Sequence, residues 1–403
     1  MSEVAQVPHS SPDGNIPQLR FPEFGKRWDK ETIGGISKIF GRIGYRGYTV
    51  QDIVSKGEGA IALSPSNFIN NQINTIKSTY ISWFKYEESP EIKILDGDIL
   101  FVKTGSTYGK TAFVSNIKEK ATINPQIVVL KNISISNKFL GYIVTTQTIK
   151  KQIEQIVVGG AIPTMSQKEL SKMEFSLPAK PEQQKIAAFL TAVDSKIEQL
   201  SKKKALLGEY KKGLMQQIFS QAIRFKADDG SDFPNWEEKK LGDILDYEQP
   251  TNYIVDSTEY DNSFDMPVLT AGKSFILGYT NETHKVFENI PVIIFDDFTT
   301  ANKYVDFPFK VKSSAMKILK PKDSFVNIRL IFEFIQMLNF PIGEHKRYWI
   351  SEYQDLKIPF PSFEEQTKIA SFLSSIDNKI EQVGKQLDES KQFKKALLQQ
   401  MFV

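Results

Sequence analysis

Apolar side chains recur every three or four positions along residues 181–219, and again along 364–402. In the first stretch they are Ile186, Leu190, Val193, Ile197, Leu200, Leu207, Leu214 and Ile218. In the second they are Ile369, Leu373, Ile376, Ile380, Val383, Leu387, Leu397 and Met401. The spacing predicts two long helices, each with a heptad-like apolar seam. Neither stretch has a proline after its first residue. At 1.5 Å per residue each helix would be roughly 58 Å long. The two stretches are copies: they lie 183 positions apart without a gap, and 19 of 39 aligned residues are identical. An internal repeat sets architecture before any local signal does. A seam of this length cannot be buried by its own helix, and the other copy is a ready partner. Antiparallel pairing is expected, since parallel pairing would require the second domain to span the rod twice. Ser362-Phe363-Glu364-Glu365 reads as a capping box, and Glu182 holds the matching place in the first copy.

The repeat extends beyond the helices. Residues 1–18 are polar and read as a disordered lead-in. Phe21-Pro22-Glu23-Phe24, Trp28 and Ile33-Gly34-Gly35-Ile36 follow, and the same grammar returns as Phe233-Pro234-Asn235-Trp236 and Leu241-Gly242-Asp243-Ile244. The intervening stretches do not align. The expected fold class is α+β: two mixed α/β domains separated by two long repeat helices, which form an intramolecular antiparallel coiled coil with pseudo-two-fold repeat. The expected divisions are 1–18, 19–178, 179–226, 227–360 and 361–403. In the first domain, strands are expected at Asp98–Lys103, Thr111–Val114 and Ile127–Leu130, and a helix from Phe139 to Val158. The second is expected to hold strands at Pro267–Thr270 and Pro291–Phe295 and a helix from Phe325 to Leu338.

Charge changes the picture by its distribution. The net charge is only +3. Residues 20–180 carry 22 Lys+Arg against 14 Asp+Glu, and residues 181–226 carry 9 against 4. Residues 233–360 carry 14 against 19. The first half suits a polyanion partner, and the second does not by bulk charge. Zero cysteines exclude disulfides and thiolate chemistry. No run of 18 apolar residues and no leader-like N-terminus is present, so a cytoplasmic protein is expected.

Catalytic chemistry is sparse. His9, His284 and His345 lack metal-ligand spacing. Gly105-Ser106-Thr107-Tyr108-Gly109-Lys110-Thr111 has the composition of a phosphate loop without its four-residue gap. Asn124-Pro125-Gln126-Ile127 half-matches an amino-methyltransferase signature, and no glycine-rich cofactor loop accompanies it. Asp296-Asp297 could hold a metal in a carboxylate-dependent nuclease, but no Glu-x-Lys follows. No catalytic, cofactor or metal residue is therefore assigned. Recognition is better supplied: polar and basic turns on strands offer Arg and Lys to guanine or phosphate, Asn and Gln to adenine, and Thr to the thymine methyl. The DNA-contact candidates are Arg42, Tyr45, Arg46, Tyr48, Lys103, Thr104, Ser106, Tyr108 and Lys110 in the first domain. In the second they are Thr270, Lys273, Phe298, Thr299, Asn302, Lys303, Lys312 and Ser313. A coiled-coil adaptor that binds only protein is the alternative.

An opening Phe-Pro motif with tryptophan, a variable domain and a helix bearing Glu182-Gln183-Gln184-Lys185-Ile186-Ala187, Phe189-Leu190 and Asp194-x-Lys196-Ile197, all repeated through Glu365 to Ile380, resembles the specificity subunit of type I restriction-modification systems. The loops at Val268–Lys273 and Asp98–Phe101 are similar to that family too. The resemblance implies a non-catalytic subunit whose two target-recognition domains each read half of a split, asymmetric site in double-stranded DNA. It implies helices that act as spacer and as docking surface for two modification (methyltransferase) subunits, with Ile186, Phe189, Leu190, Ile197, Ile369, Phe372, Leu373 and Ile380 as the docking residues. Two restriction (translocase and nuclease) subunits would join these. Cofactors would belong to the partners: S-adenosylmethionine, ATP and Mg.

Overall fold

The computed structural model describes residues 5–6, 16–156, 164–270, 274–341 and 347–403. The chain forms two compact units, one from residues 1–200 with 386–403 and one from residues 201–385. The long helices run Lys180–Phe219 and Phe363–Gln400, so each contributes to both units. In the first unit Ile186 and Leu190 share a core with Leu397, Met401 and Phe402. In the second, Met215 and Ile218 share a core with Ile369 and Leu373. The start of each helix thus meets the end of the other, which is the expected antiparallel pairing. Each fully buried Leu or Ile of the seam contributes about 1.5–3 kcal/mol. Charge fixes the register reciprocally: Asp194 pairs with Lys394 at 2.6 Å, and their repeat equivalents Asp377 and Lys211 pair at 2.8 Å.

The frame in which each domain hangs repeats residue for residue. In the first unit strand Asp29–Thr32 pairs antiparallel with Glu174–Leu177, with Asp29 opposite Leu177. In the second, Glu237–Lys240 pairs with Lys357–Phe360, with Glu237 opposite Phe360. These strands join the opening motif to the residues just before each long helix. Gly34 allows close approach there: a Cβ would lie 2.8 Å from Ser171 Cβ. At Gly242 the same atom would lie 3.1 Å from Gln354 Cβ, and Ser171 and Gln354 are repeat equivalents.

The domain of the first unit is layered. A six-stranded sheet has the order Lys38–Gly41, Ile127–Lys131, Ile99–Val102, Thr111–Phe113, Gln72–Ile73, Phe68–Ile69. Its central strands are apolar on both faces because both are covered. Ile99, Phe101, Val128 and Leu130 enter the core shared with the helices, whereas Leu100, Val102, Ile127 and Val129 enter a second core. That second core is closed by a four-stranded sheet of Ala121–Ile123, Gly59–Leu63, Thr79–Ser82 and Ile53–Val54. The expected helix from Phe139 to Val158 is two helices, Asn137–Ile143 and Gln147–Ile156. Thr145 and Thr146 hydroxyls donate back to the carbonyls of Tyr142 and Ile143, which competes with helical bonding at the break. Of the lead-in, residues 1–4 and 7–15 lie outside the described residues, and Ala5–Gln6 pairs with Leu19–Arg20.

The second unit follows the same plan with fewer strands. Its central sheet has the order Leu245–Glu248, Met316–Pro321, Val292–Asp296, Asn302–Val305. Ile293, Phe295 and Leu319 face the core shared with helix Ile328–Met337 and the long helices. Val292, Ile294, Met316 and Ile318 face the other core, which includes Leu269 and Val311 of a three-stranded sheet.

Candidate nucleic-acid interface

In the first unit, strand register gathers the candidate loops at one end of the six-stranded sheet. Gly41 lies opposite Val128, Val102 opposite Ile127, and Phe101 opposite Thr111. The segments 42–48, 103–110 and 124–126 therefore emerge side by side. Lys103 N donates to Gln126 O at 2.8 Å, and Thr104 Oγ1 lies 2.9 Å from Thr164 Oγ1. The members of the cluster are not equivalent. Arg42 is only 5% exposed. Its Nε donates to Ile123 O, its Nη2 to Thr122 Oγ1 and its Nη1 to Arg46 O, at 3.0–3.1 Å. Burial pushes the Arg42 guanidinium below its ordinary pKa and the Tyr48 phenol above its own. Arg42 thus holds the loop together and is not a free reader, contrary to expectation; a guanidinium next to a strand end is drawn to carbonyls left without ladder partners. Tyr45, by contrast, is 79% exposed, with the Arg46 guanidinium 5.5 Å from its ring centre. Arg46 also faces Glu91 at 3.5 Å. Ser106 and Lys110 are exposed, and Lys103, Thr104 and Tyr108 are half-buried.

The second unit gathers its candidates in the same way. Phe295 lies opposite Asn302, Asp296 opposite Met316, and Leu269 beside Val311. Thr270, Phe298, Thr299, Asn302, Lys303, Lys312 and Ser313 follow or begin those strand ends. Lys273 lies outside the described residues. Thr299 and Lys303 are exposed. The Asn302 side chain is engaged at both ends, donating to Thr300 O at 3.1 Å and accepting from Gln336 Nε2. Lys312 Nζ lies 5.9 Å from the ring centre of Tyr260, and Ser313 Oγ accepts from Ala315 N. Thr270 N donates to Phe275 O at 2.9 Å, which closes its turn.

The paired carboxylates are engaged in separate parts of the fold. Asp296 Oδ1 accepts from Phe298 N at 2.9 Å and Thr299 N at 3.2 Å, capping its own loop. Asp297 is buried; its Oδ1 accepts from Trp349 N at 2.9 Å and its Oδ2 faces the buried Lys317 at 3.5 Å. The described residues hold one group with ligand-like spacing, Asp256, Glu282 and His284. Its carboxylates already face Lys285 at 3.0 Å and Lys310 at 2.8 Å. Hydrogen bonds from His284 and Lys285 hold the Asp256 carboxyl down to about 2. His9 and His345 lie outside the described residues.

Four of the eight residues expected to dock partner subunits face inward, and the other four are half-buried. Ile186, Leu190, Ile369 and Leu373 are core residues. Phe189 stacks edge-on with Phe21 at 5.8 Å, and Phe372 with Phe225 at 5.5 Å. Ile197 and Ile380 are half-buried. The positions that meet the opposing helix are those that repeat every three or four residues, so the seam itself cannot also be a free surface. The capping-box reading is half right: Ser362 Oγ accepts from Glu365 N at 3.4 Å, but the Glu365 carboxylate is committed elsewhere. It accepts from Arg224 Nη2 at 2.8 Å and Trp236 Nε1 at 2.7 Å. Glu182 likewise binds Arg20 Nε at 2.7 Å and Nη2 at 2.8 Å. Gln183 accepts from Ser136 N and donates to Pro178 O, while Gln366 accepts from Asn327 N and donates to Pro361 O. Ser136 and Asn327 are the N-caps of the domain helices. The Glu-Gln pair therefore clamps each domain to its long helix. The recurrence of Arg20-Phe21 as Arg224-Phe225 was the available signal for the arginines.

Two layered domains, each offering a loop cluster at one sheet end and each clamped to a repeated helix, define a tandem loop-bearing scaffold. Residues 26–208 and 234–390 match the type I restriction modification DNA specificity domain, and the chain belongs to that family. It is 50% identical over 141 residues to the type I restriction enzyme EcoR124I/EcoR124II specificity subunit of Escherichia coli; the match spans 34% of this chain and 35% of that relative. It is 24% identical over 340 residues to the type I restriction enzyme MjaVIII specificity subunit of Methanocaldococcus jannaschii, covering 76% of this chain and 79% of the relative. The crystal structure of a type I restriction-modification system S subunit from M. genitalium shares the fold, with a TM-score of 0.64 and 17% identity over 96% of this chain and 99% of that one.

Proposed function

We propose that this chain is the DNA-reading specificity subunit of a type I restriction-modification complex. Each unit reads one half of a split, asymmetric duplex site. The observation that carries this is the pair of unlike loop clusters, each at the strand ends of its own sheet, held on a frame that repeats residue for residue. Side chains there vary while the clamp does not, which is what reading two different half-sites in one geometry requires. Direct readout would come from loop residues exposed at those ends, among them Ser106, Thr299 and Lys303, with Tyr45 and Arg46 beside them.

The chain supplies no chemistry of its own in this reading. Oδ1 of Asp296 and both carboxylate oxygens of Asp297 are engaged by the fold. Methyl transfer and cleavage fall to two modification and two restriction subunits, which bring S-adenosylmethionine, ATP and Mg. The net negative second domain implies that these partners supply much of the phosphate attraction. No helix among the described residues is long and apolar enough to cross a membrane, and a cytoplasmic location follows from the proposed substrate. The outward faces of the long helices, not their seam, are then the docking surface. Shortening both helices by one heptad should shorten the tolerated spacer between half-sites without altering either half-site.

The test is the methylation pattern of DNA from cells that express this chain with its modification subunits, read by single-molecule sequencing. A split methylated motif that appears only with the chain supports the reading. No new motif would favour the protein-only adaptor.

A further inference from the structure

We infer that a cleft in the first unit, between the 104–110 turn and helix Gln147–Ile156, seats a phosphate of the DNA backbone, with Lys110 and Lys150 as its positioning cations. The inference rests on the DNA-reading function proposed above and assigns a role to a helix that sequence reasoning left without one.

The cleft has a volume of about 400 Å³, and its polar walls include Asn71, Tyr108, Lys110, Lys150 and Glu154. It is held in shape from three sides. Gly109 sits at φ +78°, and a Cβ there would lie 2.8 Å from Ile153 Cγ2, so the helix is pressed directly onto the turn. Ile149 and Ile153 anchor the helix in the core, which leaves Lys150 exposed at the rim. Asn71 Nδ2 donates to Thr111 Oγ1 at 3.1 Å and fixes the third wall to the strand that follows the turn.

Charge and hydrogen-bonding capacity point the same way. Two ammonium groups and one carboxylate line the cleft, and neither lysine forms an ion pair among the described residues. Thr111, in the cleft wall, begins its strand opposite Phe101, at the sheet end that carries the reading loops. Contacts to phosphate fix register and carry no sequence information, so a cationic seat next to the readers places the bases for them. Lys150 is thus a positioning residue.

The experiment uses the full chain assembled with its modification subunits. Binding is measured over a range of potassium chloride to a duplex carrying the methylated motif and to a scrambled duplex. Lys150→Ala should reduce the slope of log affinity against log salt by about 0.9, and the Lys110→Ala/Lys150→Ala double variant by about twice that. The loss should be equal on both duplexes and the methylated motif unchanged. Lys151→Ala, on the same helix but outside the cleft, should keep the wild-type slope. An unchanged slope in the double variant, or an altered motif, overturns the inference. Failure of the wild-type complex to prefer its motif would instead overturn the reading function, and that is seen before any variant is made.

Discussion

The two units solve one problem with different charges. In the first, Glu182 is 2% exposed and faces Arg20, itself 6% exposed, as its one charged partner among the described residues. In the second, Glu365 is fully buried but its Arg224 is 25% exposed, and Trp236 Nε1 shares the carboxylate. The equivalent Trp28 Nε1 is buried with no partner among the described residues. Further along, Asp194 accepts from the Tyr142 hydroxyl at 2.8 Å and meets Lys394. Burial raises the Tyr142 phenol well above its usual range. Asp377 meets Lys211 and Arg329 instead, and both also reach the buried Glu333. The lesson is that backbone register, the glutamine clamp, one Glu–Arg pair and one Asp–Lys pair repeat in both units, whereas the further groups gathered around those charges differ.

The sharpest test of that contrast is Arg20→Ala. It leaves Glu182 buried and uncompensated, which should cost the first unit about 3–5 kcal/mol. Arg224→Ala should cost less, about 1–3 kcal/mol, because Trp236 still donates to Glu365 and water reaches the site. Urea unfolding of the full chain, with proteolysis to show which unit opens, measures both; equal losses would break the comparison. Gln183→Ala and Gln366→Ala should each cost about 1–3 kcal/mol and by similar amounts, since both glutamines serve an N-cap and a proline carbonyl. A large difference between them would mean that the clamp is not shared. Gly34→Ala should destabilise by about 1 kcal/mol or somewhat more, because its Cβ would also lie 2.9 Å from Ser171 O. Gly242→Ala should do so less, and thermal unfolding would rank them. The smallest effect belongs to the helix pairs. A double-mutant cycle on Asp194 and Lys394 should give a coupling of about 0.2–1 kcal/mol, and the cycle on Asp377 and Lys211 a larger one through Glu333.

Much of this was legible beforehand. The repeat marked both long helices, and the seam residues Ile186, Leu190, Ile369 and Leu373 are buried as amphipathic spacing requires. The central strands were visible as continuous apolar runs. The break after Ile143 was not, because Thr145 and Thr146 give a weak signal inside an otherwise helical pattern. The gathering of loops at one sheet end was not legible either, since it depends on strand order that no local pattern encodes.

The sequence by itself determined that there are two domains on two repeated helices, and that the helices pair antiparallel, because a seam must be buried and the copy is its complement. Only the tertiary structure decided which of the candidate residues are available. Arg42 was as good a reader as Arg46 by composition, but register places Arg42 against the carbonyl of Ile123, leaves Tyr45 outside and leaves Arg46 half-buried beside it. Asp296 and Asp297 were a plausible ligand pair until the loop turned one back on itself and the other into the core. Residue type fixes what a side chain can do, and burial with hydrogen-bond partners decides whether it is free to do it.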